Sequence, residues 1–125
     1  MSMHIGVDLI EIPRFETAVL RHKDRFLDRI FTQQEIEITE KRVESLAVRF
    51  AAKEAVSKAL GTGIGDVGWK EIEILRGLSR EPILVLNGNA KKIAQELGID
   101  AWAISLSHTR DLAIAFVVGN VSNCK

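Results

Sequence analysis

The chain has 125 residues, with 17 Lys and Arg balanced by 17 Asp and Glu, 46% hydrophobic residues and 27% charged ones. That length and balance predict one soluble globular domain spanning 1–125, of α+β class by the elements taken below, and argue against a nucleic-acid binder, which needs a basic excess and, for base stacking, more than 6% aromatics. No apolar run is long enough to span a bilayer, no signal-peptide plan opens the chain, and Cys124 is the one cysteine, so a reducing cytoplasmic location is expected.

In chain order, His4 to Leu9 reads as a strand and Pro13 to His22 as a helix, with Pro13 suited to a first helical position. A short helix follows from about Gln33 to Lys41, then a long one from Val43 to Leu60. Strands are predicted at Trp69–Arg76 and Ile83–Asn87, a helix at Ala90–Leu97 closed by Gly98, and a strand pair at Ala101–Ser107 and Leu112–Val118 joined by the turn His108-Thr109-Arg110-Asp111. Helices and strands do not alternate strictly, which favours an antiparallel sheet packed by helices.

The long helix carries the chemistry. At about 100° per residue, Val43, Leu46, Ala47, Phe50 and Ala51 share a face, and Glu54 falls in the middle of it. Glu54, Ser57 and Lys58 project together from a segment otherwise rich in buried-type residues. A charge in such a place requires a partner or a cation, although Glu54 and Lys58 at i,i+4 also have the spacing of an ordinary helical ion pair. The glycines of Gly61-Thr62-Gly63 permit positive φ, which suits either a loop whose N–H groups wrap a phosphate or a plain helix C-terminus. Asp8, set among apolar residues, is the second acid: it either caps the next helix, or meets Glu54 to hold a hard divalent cation, most plausibly Mg²⁺, against a phosphorylated substrate.

Gly6-Val7-Asp8, the run Arg49 to Ala59 (RFAAKEAVSKA), Gly61-Thr62-Gly63, Asn87-Gly88-Asn89-Ala90 and Ser105-Leu106-Ser107-His108 together resemble the holo-acyl-carrier-protein synthase family, the short bacterial type of 4′-phosphopantetheinyl transferase. The resemblance spans nearly the whole chain. It implies a sheet packed by a long central helix, and a homotrimer with sites between subunits. The activity implied is Mg²⁺-dependent transfer of phosphopantetheine from coenzyme A to a serine of an apo acyl carrier protein in fatty acid biosynthesis, releasing adenosine 3′,5′-bisphosphate. Asp8 and Glu54 would hold the metal. Lys58 would stabilise charge on the pyrophosphate, and Gly61, Thr62, Gly63, Asn87, Gly88 and His108 would bind coenzyme A. Arg49 would reach the nucleotide phosphates, with a surface stripe shared with Arg42 and Lys53 as the alternative. The base is left open between Glu54 acting on a water, a water at the cation polarised by Asp8, and His108. If the first helix runs on, Arg14, Arg21 and Arg25 fall in one arc, suited to an acidic carrier protein or simply to solvent. Competing readings are a binding module without chemistry and a Mg²⁺-dependent phosphate-ester hydrolase.

Overall fold

The computed structural model describes residues 2–122; Cys124 lies outside them. The elements are β1 (Ser2–Glu11), α1 (Ile12–Ile30), α2 (Gln33–Thr39), α3 (Val43–Ala59), β2 (Ile72–Arg76), β3 (Pro82–Leu86), α4 (Gly88–Glu96), β4 (Ala101–His108) and β5 (Leu112–Val121). Two antiparallel sheets form, one in the order β1-β5-β4 and one of β2 with β3. Helix α3 lies across the inner face of the larger sheet, against β1 and β5.

Small residues bring helix and sheet together. Ala47, Ala51, Ala55 and Ala59 of α3 are buried, as are Ala113 and Ala115 of β5. The closest approach is at Gly6, where a Cβ would stand 1.8 Å from the Ala55 carbonyl oxygen. No residue but glycine fits there without moving β1 off the helix. Because side chains alternate along a strand, Asp8 shares this inner face with Gly6.

Helix α3 ends in a Schellman motif. Gly61 sits at φ 79°; its N–H donates to the Lys58 carbonyl at 3.0 Å and the Thr62 N–H to the Ser57 carbonyl at 3.1 Å. The Gly63 N–H also goes to Ser57, at 3.2 Å. These three amides close the helix, which corrects the reading of a loop with donors free to wrap a phosphate.

Several boundaries differ from the sequence reading. Helix α1 continues past His22 to Ile30 but is interrupted at Lys23, whose φ of 47° and ψ of −129° are not helical. The residues beyond form a separate helical segment that buries Leu27 and Ile30, so Arg25 does not continue the arc of Arg14 and Arg21. Asp8 caps nothing: β1 runs to Glu11, which precedes α1 without a side-chain cap. Trp69–Glu71 is a 3₁₀ turn rather than strand, and the Glu71 carboxylate explains it by accepting from Gly68 N–H at 3.2 Å and Ala90 N–H at 3.1 Å. Trp69 thereby turns inward onto Phe50, ring centroids 4.9 Å apart.

The core has two parts. One gathers around the C-terminal half of α3, with Val67, Ile72, Ile74, Ala90 and Val117. The other surrounds its N-terminal half, with Phe15, Leu27, Phe31 and Leu46. A buried ion pair sits where α2, α3 and β2 meet. Lys53 Nζ donates to Glu35 Oε1 at 2.8 Å, with both side chains wholly buried, and also to the Trp69 and Ile72 carbonyls. Glu35 accepts in addition from Thr32 N–H at 2.9 Å and Ile74 N–H at 2.8 Å. Burial holds the Lys53 ammonium below its ordinary pKa, with Glu35 pulling the other way.

Candidate active site

Asp8 and Glu54, 46 positions apart in sequence, meet across the β1–α3 contact that Gly6 makes possible. Lys58, one turn beyond Glu54, donates to Asp8 Oδ1 at 2.9 Å and to the Val7 carbonyl at 3.0 Å. Glu54 is partly buried. Its carboxyl is held above the ordinary value of 4.5 by burial first, then by the charge of Asp8, while Lys58 opposes the shift. Two carboxylates and one ammonium therefore leave a net negative charge at a half-open spot.

This donor set fits a hard cation. The ligands are oxygens only, the excess charge is negative, and Mg²⁺ commonly takes one or two carboxylates and fills its remaining positions from phosphate and water. Among the described residues no group of three or more acidic, histidine or cysteine side chains forms a closed cage, as expected where substrate completes the shell. Ser57 is buried, and its hydroxyl donates to the Glu54 carbonyl at 2.7 Å, so it supports the helix here.

The other sequence-predicted residues lie elsewhere. Arg49 is 5% exposed, so it does not belong to a solvated stripe. Its guanidinium donates to the Ile74 carbonyl at 3.0 Å and the Ser45 carbonyl at 3.2 Å, on the β2 side of α3. Five residues separate it from Glu54, which at about 100° per residue puts the two on opposing faces of the helix. His108 is exposed at the end of β4 and shares a cleft of about 690 Å³ with Pro13, Val43, Glu44 and Arg110. Its backbone stands two rows along and two strands across from Asp8, about 12 Å by strand spacing, and its Nδ1 lies 3.3 Å from the Thr109 carbonyl oxygen.

Asn87 and Gly88 begin α4, two residues earlier than the sequence suggested, with Gly88 at φ 55° and Asn87 making no side-chain cap. The Ala90 backbone N–H at this helix start already donates to Glu71, and the Asn89 side-chain Nδ2 donates to the Asp66 carbonyl at 2.7 Å. These two donors thus bind the protein's own chain, whereas the Asn87 side chain caps nothing. Arg14 is exposed and lies 3.8 Å from Glu11. Arg21 and Arg25 flank a shallow surface hollow with His22, Lys23 and Asp24.

Sequence reasoning missed Glu35 as the partner of Lys53, and it missed the outer face of the large sheet. On β1 the residues Met3, Ile5, Val7 and Leu9 are 47–59% exposed, and on β5 Leu112, Ile114 and Phe116 are 39–44% exposed. Register pairs Val7 with Phe116 and Leu9 with Ile114, so these side chains form one continuous apolar surface. The signal was present as strict alternation in β1, but alternation alone does not say which face is inside.

Comparison with known proteins agrees with this geometry. The family model described as the 4′-phosphopantetheinyl transferase superfamily matches residues 4–117. A holo-[acyl-carrier-protein] synthase of Herpetosiphon aurantiacus is 48% identical over 121 residues, covering 91% of this chain and 95% of that one. The crystal structure of the Helicobacter pylori holo-[acyl-carrier-protein] synthase in complex with coenzyme A superposes with a TM-score of 0.85 at 36% identity, covering 93% of this chain and 99% of that one. A Bacillus anthracis holo-(acyl-carrier-protein) synthase in complex with CoA (3′,5′-ADP) gives a TM-score of 0.79 at 35% identity, covering 97% and 100%. On this family match over most of its length, and on relatives this similar in sequence and fold, the chain belongs to the 4′-phosphopantetheinyl transferase superfamily, within its holo-[acyl-carrier-protein] synthase family.

Proposed function

We propose that this protein transfers the 4′-phosphopantetheine arm of coenzyme A to a serine of an apo acyl carrier protein, releasing adenosine 3′,5′-bisphosphate, as a step of fatty acid biosynthesis in the cytoplasm. The observation that carries the reading is the convergence of Asp8, Glu54 and Lys58 across the β1–α3 contact. Displacement at phosphorus spreads charge over the non-bridging oxygens, so catalysis consists of aligning the groups and offsetting that charge. Asp8 and Glu54 would hold Mg²⁺, which when bound supplies positive charge beside the diphosphate. Lys58, steadied by Asp8 and the Val7 carbonyl, places an ammonium beside the same oxygens. Glu54, the carboxylate of raised proton affinity, is the side toward which the serine proton leaves, directly or through a water.

The outward apolar face of β1 and β5 supports assembly with further copies of the chain, in the homotrimer that the family resemblance implies. Arg49 faces away from Glu54 of its own protomer, which supports sites completed between neighbours: Asp8, Glu54 and Lys58 from one, Arg49 and His108 from the next. Carrier docking is assigned to α1. Arg14 borders a cleft of about 400 Å³ with Phe15, Ala18, Phe26 and Phe50 that begins one residue past Asp8. Arg21 and Arg25 extend the positive charge toward an acidic partner.

Incubating the protein with coenzyme A, Mg²⁺ and an apo acyl carrier protein, then weighing the carrier by mass spectrometry, tests the reaction. A phosphopantetheine adduct on the serine is expected; a carrier of unchanged mass contradicts it. For docking, Arg14→Glu with Arg21→Glu is expected to raise KM for the carrier and to flatten its dependence on ionic strength. Unaltered carrier kinetics would remove α1 from the interface.

A further inference from the structure

Lys58 has the helical spacing to pair with Glu54, one turn earlier on α3, yet it reaches across to β1 instead. Its ammonium donates to Asp8 Oδ1 at 2.9 Å and to the Val7 carbonyl at 3.0 Å. Among the described residues, the ion pairs within 4 Å include Lys58 with Asp8 and none with Glu54. The two acids therefore share one ammonium unequally. The Lys58 side chain is 51% exposed and that of Asp8 16%, so the lysine lies on the solvent side of the pair.

A carboxylate and a backbone carbonyl are oxygens that hard cations commonly take from a protein. Lys58 thus rests on acceptors suited to the ion that Asp8 and Glu54 would hold, and it engages Asp8 Oδ1 for itself. Two positive charges on one shielded carboxylate repel each other. Of the groups involved, Lys58 is the one free to move. Its flexible stem ends in solvent, whereas Asp8 and Val7 belong to a strand packed tightly on α3 at Gly6. An ammonium has three donors, and two of these go to Asp8 and Val7. Only on leaving them can Lys58 turn all three toward phosphate oxygens.

We propose that Asp8 and the Val7 carbonyl hold Lys58 as an internal counter-ion, which gives up Asp8 when a divalent cation binds and passes to the diphosphate oxygens of the substrate. This rests on the reading above in which Asp8 and Glu54 hold the cation. Lys58 then has two alternative positions, one neutralising Asp8 and one neutralising phosphate. In the first it competes with the cation; in the second it assists the same diphosphate. The protein alone therefore holds the cation weakly, and Lys58 is made available to phosphate only at a site that has its metal.

Titration calorimetry with Mg²⁺ on the wild type, Lys58→Met and Glu54→Gln, without coenzyme A, tests the exchange. Methionine keeps an unbranched stem of good helix propensity, and melting curves check each fold. Lys58→Met is expected to bind Mg²⁺ roughly fivefold more tightly than the wild type, because no ion pair has to be broken. NMR of the lysine ammonium nitrogens, with the Lys58 signal assigned by its loss in Lys58→Met, reads the displacement itself. Mg²⁺ is expected to move that signal to the position of the solvated lysines. Equal Mg²⁺ affinity of the wild type and Lys58→Met, or a Lys58 signal that stays in place as Mg²⁺ binds, overturns the proposal. If Glu54→Gln binds Mg²⁺ as the wild type does, the cation reading of the site fails and the exchange with it. If Glu54→Gln abolishes binding while Lys58→Met changes nothing, the site stands and the exchange alone is overturned.

Discussion

Glu54 is held in a place that costs the fold something, and the cost has a defined pH dependence. Its pKa in the folded chain lies above the unfolded value, because burial and then Asp8 disfavour the charged form more than Lys58 favours it. Between those two values the folded chain binds more protons than the unfolded one, so metal-free stability falls as pH rises through the window. At neutral pH the full cost of an ionised Glu54 is present. Glu54→Gln is therefore expected to raise the Tm of the metal-free protein at pH 7, with the gain vanishing below about pH 4, where a free glutamate side chain is itself mostly protonated. The same variant is expected to lose turnover, and Mg²⁺ should raise the Tm of the wild type but not of Glu54→Gln. Calorimetry with and without chelator reads both effects. A variant that melts lower than wild type at every pH would contradict this account.

At the level of elements, two features explain how the helices are held. The Glu35–Lys53 pair ties α2 and α3 to β2 through three hydrogen bonds, from Lys53 to Glu35 and to the Ile72 carbonyl and from Ile74 N–H to Glu35. Lys53→Met leaves Glu35 buried without its partner and is expected to cost about 3–5 kcal/mol, measurable by urea unfolding; Glu35→Gln added to it should restore part of the loss. A cost near zero would mean that the pair is not a structural tie. The break in α1 is the second feature. Lys23 sits at φ 47° and ψ −129°, backbone that glycine occupies readily, so Lys23→Gly is expected to stabilise the protein by about 1 kcal/mol. Destabilisation instead would mean that the Lys23 side chain contributes more than its backbone strain costs.

On the scale of the whole molecule, the large sheet is covered on one face by α3 and bare on the other. Ile5, Val7, Leu9, Ile114 and Phe116 line the bare face, more apolar surface than a solitary protomer normally leaves in water. Val7→Glu with Phe116→Glu places like charges directly opposite each other on it. Sedimentation is expected to show a monomer with native helix content, and turnover should fall with assembly even though Asp8, Glu54 and Lys58 are untouched. A monomeric variant of full activity would show that each protomer carries a complete site.

The local order of the chain was legible in its residues. Apolar flanks marked β1, and the turn His108-Thr109-Arg110-Asp111 between two apolar segments marked β4 and β5. The alanine-rich run without glycine or proline marked α3, and Gly61 marked its end, because these signals act over neighbouring residues. Glu54 stood out for the same reason: one carboxylate in an apolar arc is a contradiction visible within five turns of helix. What the residues left open depended on contacts distant in sequence. Ile5, Val7 and Leu9 read as a strand in either orientation, and only the fit of Gly6 against Ala55 turned them outward and Asp8 inward. For Arg49 and Lys53 the residues left a solvated stripe open as the alternative to phosphate contact, and only β2 and Glu35 closing over them excluded it. The loop after α3 held glycines suited to phosphate, but its amides were drawn to Ser57 and Lys58 by helix capping. The sequence by itself determined which segments fold and where a charge needed a partner, since propensity and periodicity are local. Tertiary structure alone decided which face is buried and which charges meet, since both depend on packing between segments that the chain keeps far apart.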